Sequence, residues 1–246
     1  MPMRRASSKM CGAGCEMKTR LIPVLTALLA IVLIAATCRV TIVPDETPTT
    51  MVNAAGETVT IEELSVTEQY TVDNWDAKII PTIQERAVDA TEFLSAVTSD
   101  LNTAGAAYGN RANETSAWSF CVKGEGMVLD IENADKPNKT NLVLDLKPFD
   151  GVADIKLHYG KVFSSNIKNA IRDGVGFLKL DDFTNQVEFA DLTTAFNNKV
   201  KNEIILAISS DNYAGKVVSF YGCISLQDTK PESLVVIPVE LNIVGE

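Results

Sequence analysis

His158 is the sole imidazole in the chain, so any histidine-dependent proton transfer must run through it. A Ser-His-Asp arrangement would need it beside Ser164 or Ser165, which lie on the same or the next local segment, and no Gly-x-Ser-x-Gly elbow exists. Alternation through Ala153–Tyr159 puts Ile155 and Leu157 on one strand face and Lys156 and His158 on the other. His158 is therefore expected to be solvated, with no catalytic role. Arg172-Asp173 is the strongest polar pair. A guanidinium there could clamp a carboxylate or phosphate through two parallel hydrogen bonds. Read as strand neighbours, the two point to opposite faces and are not expected to pair with each other. Arg172 is expected instead to tie the fold together through carbonyls or a carboxylate such as Asp181 or Glu188, with ligand binding as the alternative. Asn185 and Gln186 fall in the first turn of a predicted helix, where they could bond a ligand hydroxyl or stabilise the helix start; the second role is preferred. Asp173 and Asp181 are the carboxylates that a hydrolase would use.

The thiols divide into three groups. Cys11 and Cys15 make a lone pair of sulfurs, too few for a tetrahedral metal site. Cys121 and Cys223 each sit inside a predicted strand, where either a disulfide or two buried free thiols fits. Cys38 follows an uncharged run of 16 residues, Leu21 to Ala36, preceded by Lys18 and Arg20. A basic start, an apolar stretch and small residues at its end describe a secretory signal, and the run is short of the roughly 20 residues that span a bilayer. Ile34-Ala35-Ala36-Thr37-Cys38 resembles a lipobox, with Ala35 where a larger aliphatic residue is usual and Thr37 where Gly, Ala or Ser is usual. Residues 1–37 thus read as a lipoprotein leader. Met17-Lys18-Thr19-Arg20 is a compact start of its own, so Met17 is the expected initiator.

Charge narrows the partners. The chain carries 22 Lys+Arg against 32 Asp+Glu. The leader holds five basic residues and Glu16 alone as acid, which leaves −14 on the part from Cys38 onward. Such a body is not expected to bind nucleic acid, which needs clustered positive charge. No metal or cofactor is expected either: one histidine excludes multi-imidazole zinc centres, and Gly124-Glu125-Gly126 lacks the third glycine and the Lys-Ser/Thr of a phosphate loop.

These residues must be positioned by the elements that the periodicity predicts. Residues 38–65, with Pro44, Pro48 and a Thr-rich stretch, read as a tether holding at most one short strand. Trp75, Ile79, Ile83, Ala87, Ala90, Leu94, Val97 and Leu101 recur at helical spacing, so a long helix is expected from a cap at Asp73 or Asn74, kinked at Pro81 and ended at Gly105 or Gly109. Strands are expected over Trp118–Asn133, with a bulge or bend at Gly124–Gly126, then over Asn141–Lys147, Ala153–Tyr159 and Val175–Leu180. A second helix, capped by Asp181 or Asp182, carries Phe183, Val187, Ala190, Ala195, Phe196, Val200 and Ile204. Strands Lys216–Leu226 and Leu234–Ile243 close the chain, Pro238 marking an edge or a bulge. The fold class is a β-rich α+β domain over 66–246. It is expected as an OB-like five-stranded barrel with a long N-terminal helix and a helix between the third and fourth strands; an open α+β sheet is the competitor.

The segment AIRDGVGFLKLDDFTNQVEFADLTTAFNNKV, Ala170 to Val200, resembles the signature of a bacterial family of predicted periplasmic lipoproteins, domain of unknown function 2291. YTVDNWDAKIIP at Tyr70–Pro81, Tyr108-Gly109-Asn110-Arg111 and Val122-Lys123-Gly124-Glu125-Gly126 extend the resemblance over nearly all of the mature chain. The chain departs from the family pattern at Gly160-Lys161-Val162, where a Gly-Pro-Val word is usual, and in a longer interval to Arg172-Asp173. The resemblance implies an OB-like barrel with helical additions, no established reaction, and frequent company with sugar-uptake systems. Together these point to a lipid-anchored protein of the periplasm or cell envelope. Its partners are the membrane, through its N-terminal lipid, and a small polar ligand or sugar-transport components. A carboxylate-based hydrolase and a purely structural envelope lipoprotein are the alternatives. Metabolic labelling with a lipid analogue should mark the wild type and not Cys38→Ala; equal labelling of both would remove Cys38 as the anchor.

Overall fold

The computed structural model describes residues 49–52, 58–61 and 64–245. The leader, Met17, the Cys11/Cys15 pair and Cys38 lie outside the described residues. Thr49–Val52 (β1) and Thr58–Ile61 (β2) pair antiparallel, Thr49 opposite Ile61, so the tether region holds two short strands rather than one. Residues from Leu64 onward form a compact unit of their own.

The expected long helix is four short ones, and each break has a local cause. Val66–Asn74 (α1) starts at Ser65, whose hydroxyl accepts from the Glu68 N–H at 3.3 Å while the Glu68 carboxylate accepts from the Ser65 N–H at 2.9 Å. This reciprocal cap moves the start well ahead of Asp73 and Asn74, which lie at the far end of α1. The helix then widens to a π turn over Trp75–Ile79, with the Ile80 N–H bonded back to the Trp75 carbonyl, just before Pro81 removes an amide donor near the start of Ile80–Arg86 (α2). Val88–Asp89 (β3) interrupts the helical run. Asp89 caps Ala90–Ser99 (α3) by accepting from the Thr91 and Glu92 amides, and Asp100 caps Leu101–Tyr108 (α4) through the Thr103 amide at 2.6 Å. A short acidic side chain that binds nearby amides favours a new helix over a continued one. Gly109 ends the segment as expected.

Strand Trp118–Glu132 (β4) spans 15 residues. It pairs with Val217–Leu226 (β7) from Trp118 to Met127 and with Asn141–Leu146 (β5) from Gly126 to Glu132, both antiparallel. β5 pairs with Ile155–His158 (β6), β6 runs parallel to Val235–Ile243 (β8), and β8 pairs antiparallel with β7. The pairings β4-β5-β6-β8-β7 therefore return to β4. The expected bulge at Gly124–Gly126 falls instead between Val128 and Asp130. The two glycines keep regular register with β7, and space explains them: a Cβ on Gly124 would stand 3.1 Å from that of Ala90, and one on Gly126 3.1 Å from that of Leu144. Pro238 sits opposite Gly222 at a second register shift, as its missing donor requires.

Two other expectations fail locally. Val175–Leu180 is no strand: Gly176 adopts φ +77°, and the segment leads into a short 3-10 turn at Leu180–Asp182. Ala170–Gly174 (α5) is a short helix, and the second long helix, Gln186–Val200 (α6), is capped by Asn185 rather than by Asp181 or Asp182. Its buried face is Leu192, Ala195, Phe196 and Val200, while Val187 and Ala190 are exposed.

The core lies between the helices and the sheet. Phe93 meets Phe120 edge-on with ring centres 5.1 Å apart, Trp75 meets Phe196 at 5.7 Å, and Leu142, Leu144, Leu157, Ile224 and Val236 fill the sheet interior. Close approach to backbone is sharpest where a Cβ on Gly222 would lie 2.5 Å from the Ile237 carbonyl oxygen. Backbone cannot yield there as a flexible side chain would, so Gly222→Ala should destabilise the protein by about 1–3 kcal/mol. Denaturant unfolding measures this, and an unchanged midpoint would show that β7 and β8 are not so close.

Candidate functional site

The helical geometry of α5 changes what Arg172 and Asp173 can do. Neighbours that diverge on a strand converge on this turn, and Arg172 Nε donates to Asp173 Oδ1 at 2.7 Å. Their side chains are only 11% and 13% exposed, so the pair is largely withdrawn from water. The guanidinium carbon lies 4.2 Å from the centre of the Phe189 ring on α6, a cation–π contact that fixes the plane of the group. The expected partners are otherwise engaged or placed: the Glu188 carboxylate accepts from the Thr184 amide at 2.8 Å, and Asp181 is exposed in the 3-10 turn. No other hydrogen bond joins Arg172 to a described residue, so its terminal nitrogens remain open to a further acceptor.

The turn is anchored from a second direction. Asn110, just past α4, exchanges backbone hydrogen bonds with Ser119 at 2.8 and 2.7 Å, which extends the edge of β4 by one bridge. Its side-chain amide then donates to the Asp173 carbonyl at 2.7 Å. Beneath α5, Cys121 Sγ donates to the Gly174 carbonyl at 3.4 Å. Cys121 and Cys223 are buried thiols with sulfurs 3.9 Å apart.

Two clefts flank the pair, and Asp173 lines both. One, of about 660 Å³, is walled by Ser116, Asn166, Asn169, Arg172, Asp173 and Asp228 among others. The other, of about 650 Å³, includes Asn110, Arg111, Lys179, Gln186 and Phe189. A third, of about 520 Å³, contains Asn138, Asn141, His158 and Ser164 and shares Asn166 with the first. The walls of the first come largely from the α4–β4, β6–α5 and β7–β8 connections, and those of the third from the β4–β5 and β6–α5 connections. The β7–β8 loop is held in shape by Asp228, whose carboxylate accepts from Ser233 Oγ at 2.6 Å and from the Lys230 amide at 3.3 Å. The hydrogen bond from Ser233, followed by those from Lys230, keeps the Asp228 carboxyl below the usual carboxylate range.

Of the four candidate ligand residues, Arg172, Asp173 and Gln186 reach these clefts, and Asn185 does not. Asn185 Oδ1 accepts from the Val187 and Glu188 amides at 2.8 and 3.0 Å, the helix-start role preferred for it. Asp181 lines neither cleft beside Asp173, so those two carboxylates do not face each other across one. Asn166, Asn169, Asp228 and Phe189 escaped the sequence reading. The three-residue spacing of Asn166, Asn169 and Arg172 was the available signal, since on a helical turn it gathers all three on one side; reading Arg172 and Asp173 as strand neighbours concealed it.

His158 overturns the solvated reading. It is 4% exposed, packs against the Phe163 ring with centres 4.7 Å apart, and its Nε2 has no hydrogen-bond partner among the described residues. The alternation had its periodicity right, but residues 160–167 cover the face that would have met water. Lys156, on that same side, reaches out to Glu132 at 3.0 Å. Ser164 lines the same cleft as His158, yet its hydroxyl donates to Asn166 Oδ1 at 2.5 Å.

A five-stranded meander whose last strand inserts beside the third, with helices between the third and fourth, defines the OB class. The solved structure of an OB-fold protein from Thermotoga maritima MSB8 is similar to this chain with a TM-score of 0.60 at 19% identity; the match covers 74% of this chain and 99% of that one. That likeness establishes the fold alone. Residues 28–242 match the model of the predicted periplasmic lipoproteins, domain of unknown function 2291, and the chain belongs to that family. Among curated proteins, none matches.

The buried imidazole gives a pH prediction. Burial lowers the His158 pKa to about 4, against a smaller opposing effect of the Gly160 backbone hydrogen bond. Below about pH 6.5 the unfolded chain gains a proton that the folded one refuses, so stability falls as pH drops towards 4. The loss should reach roughly 3 kcal/mol in the wild type and be absent from His158→Phe. Unfolding midpoints of the two at pH 7 and pH 4 check this; parallel losses would mean that His158 is solvated after all.

Proposed function

We propose that this chain is a non-catalytic binding or accessory module, exported and held at the membrane by a lipid on Cys38. Its five strands form a barrel of OB type, and a small polar ligand binds in the cleft beside Arg172. The observation that carries this reading is the half-engaged guanidinium. Asp173 takes Nε and Phe189 fixes the plane, while the terminal nitrogens have no acceptor among the described residues and Arg172 lines a roomy polar cleft. A buried cation so held is pre-organised for a ligand oxygen, and little side-chain freedom is left to lose on binding.

The setting supports the same reading. The β7–β8 loop, which walls the cleft beside Arg172, and the β4–β5 loop, which walls the neighbouring cleft that shares Asn166, correspond to those with which OB folds grip oligosaccharides and oligonucleotides. The body's −14 charge disfavours the second, and the amides of Asn166 and Asn169 suit hydroxyl-bearing ligands. Service to an uptake system for sugars or similar polar solutes fits a tethered module with such a cleft.

Thermal-shift screening of the detergent-solubilised full chain against sugars, polyols and small carboxylates tests the proposal. At least one class should raise Tm, and Arg172→Lys, which keeps the charge but loses the planar fork, should abolish the rise. Asn185→Ala should cost about 1 kcal/mol of stability yet retain the ligand response. A folded protein that responds to none of these classes would sink the reading.

A further inference from the structure

We infer that Cys121 and Cys223 are joined by a disulfide across the β4–β7 seam in the exported protein. The two are direct register partners on antiparallel strands. Opposed residues in such a pair have Cα atoms roughly 4.5–5.5 Å apart, inside the range of about 4.4–6.8 Å that a disulfide spans. Their sulfurs lie 3.9 Å apart. Closing to a bond of about 2.05 Å takes side-chain rotation and no movement of either strand.

The surroundings leave room for that rotation. Gly174 lies over the pair, and a Cβ there would come within 3.3 Å of the Cys223 sulfur and 3.6 Å of the Cys121 sulfur. Any larger residue would press on the sulfurs. If Cys38 carries the lipid and the leader is removed, no other cysteine remains to compete for either partner.

Electrostatics distinguish the two thiols. The hydrogen bond with Cys223, assisted by the nearby Arg86 guanidinium, holds the Cys121 thiol below its usual range, whereas Cys121 and burial push Cys223 well above it. Both residues are at most 1% exposed, so the reaction belongs to folding, before α5 closes over the strands. The co-reactant is a disulfide-bearing protein oxidant of the export compartment. Cys121 thiolate attacks one sulfur of that disulfide and expels the other as a thiolate, leaving a mixed disulfide. Cys223, losing its proton, then attacks the Cys121 sulfur and releases the oxidant's second thiolate. Two thiols give up two electrons and two protons, and the oxidant's disulfide becomes a dithiol.

The bond would close a loop between positions 102 apart that holds β5 and β6, with its sulfurs beneath the turn that carries Arg172 and Asp173. It does not depend on what the cleft binds.

The test is alkylation of protein exported with its own leader, quenched in acid and denatured before maleimide is added. Mass spectrometry should find no alkyl group on Cys121 or Cys223 without reductant and one on each after reduction. Reduction should also lower Tm by on the order of 10 °C, a response missing from the Cys121→Ala/Cys223→Ala double variant. Alkylation of both positions in unreduced exported protein would overturn the inference.

Discussion

Besides a two-residue parallel pairing with β3, β4 has to satisfy two long antiparallel partners with one backbone. Its first ten residues use one edge for β7, its last seven use the other for β5, and Gly126 and Met127 serve both. A strand that changes partners in mid-course must turn away from the first sheet plane, and the bulge between Val128 and Asp130 is where the ladder slips to allow it. Leu129, the extra residue, is 40% exposed, as expected for a position turned out of the alternation. Gly124 and Gly126 on β4 and Gly222 on β7 remove side chains where the curvature brings strands and helix closest. Without this double pairing β5 and β7 would be the two edges of an open sheet β5-β6-β8-β7, and the cycle would not close.

The candidate site depends on the same strand. Ser119 near the start of β4 receives Asn110, and Asn110 in turn holds the Asp173 carbonyl. Two residues on, Cys121 supports Gly174 from below. α5 is a five-residue helix with little intrinsic stability, since so short a turn cannot repay its own nucleation. It persists because β4 binds it at both of these points and because Ala170, Ile171 and Val175 are buried in the core. The position of Arg172 is therefore a property of the sheet edge more than of the residues around it in sequence.

This explains what could and could not be read in advance. The strands β4 to β8 and the cysteines within them were legible because half-buried strands alternate, and Pro238 was legible because a missing donor has few permitted places. Helix boundaries were missed where one polar side chain outvoted the apolar stripe: Ser65, Asp89, Asp100 and Asn185 bind local amides, and several residues nearby had similar claims to that role. The Arg172–Asp173 pairing was hidden by a wrong period, with Gly176 at positive φ ending any strand before it began. His158 was hidden by tertiary cover, which no period reports. The clefts join loops far apart in the chain, so their membership follows from topology.

The ion pair also constrains what kind of ligand the cleft can prefer. Arg172 and Asp173 together add no net charge, and Asp228 on the same cleft is paired with Lys230 Nζ at 3.1 Å, in a body that is strongly acidic overall. Anions gain nothing from long-range attraction here, and the local guanidinium is already half neutralised by its neighbour. Selectivity must then come from hydrogen-bond geometry: the open edge of the guanidinium as donor, the Asn166 and Asn169 side chains as donors or acceptors, and the Asp173 carboxylate as acceptor. A neutral ligand with closely spaced hydroxyls can use a donor and an acceptor side by side, whereas a carboxylate or phosphate would find Arg172 already paired with Asp173. The same pairing that stabilises the turn thus tilts the proposed site towards polyhydroxylated ligands and away from anionic ones.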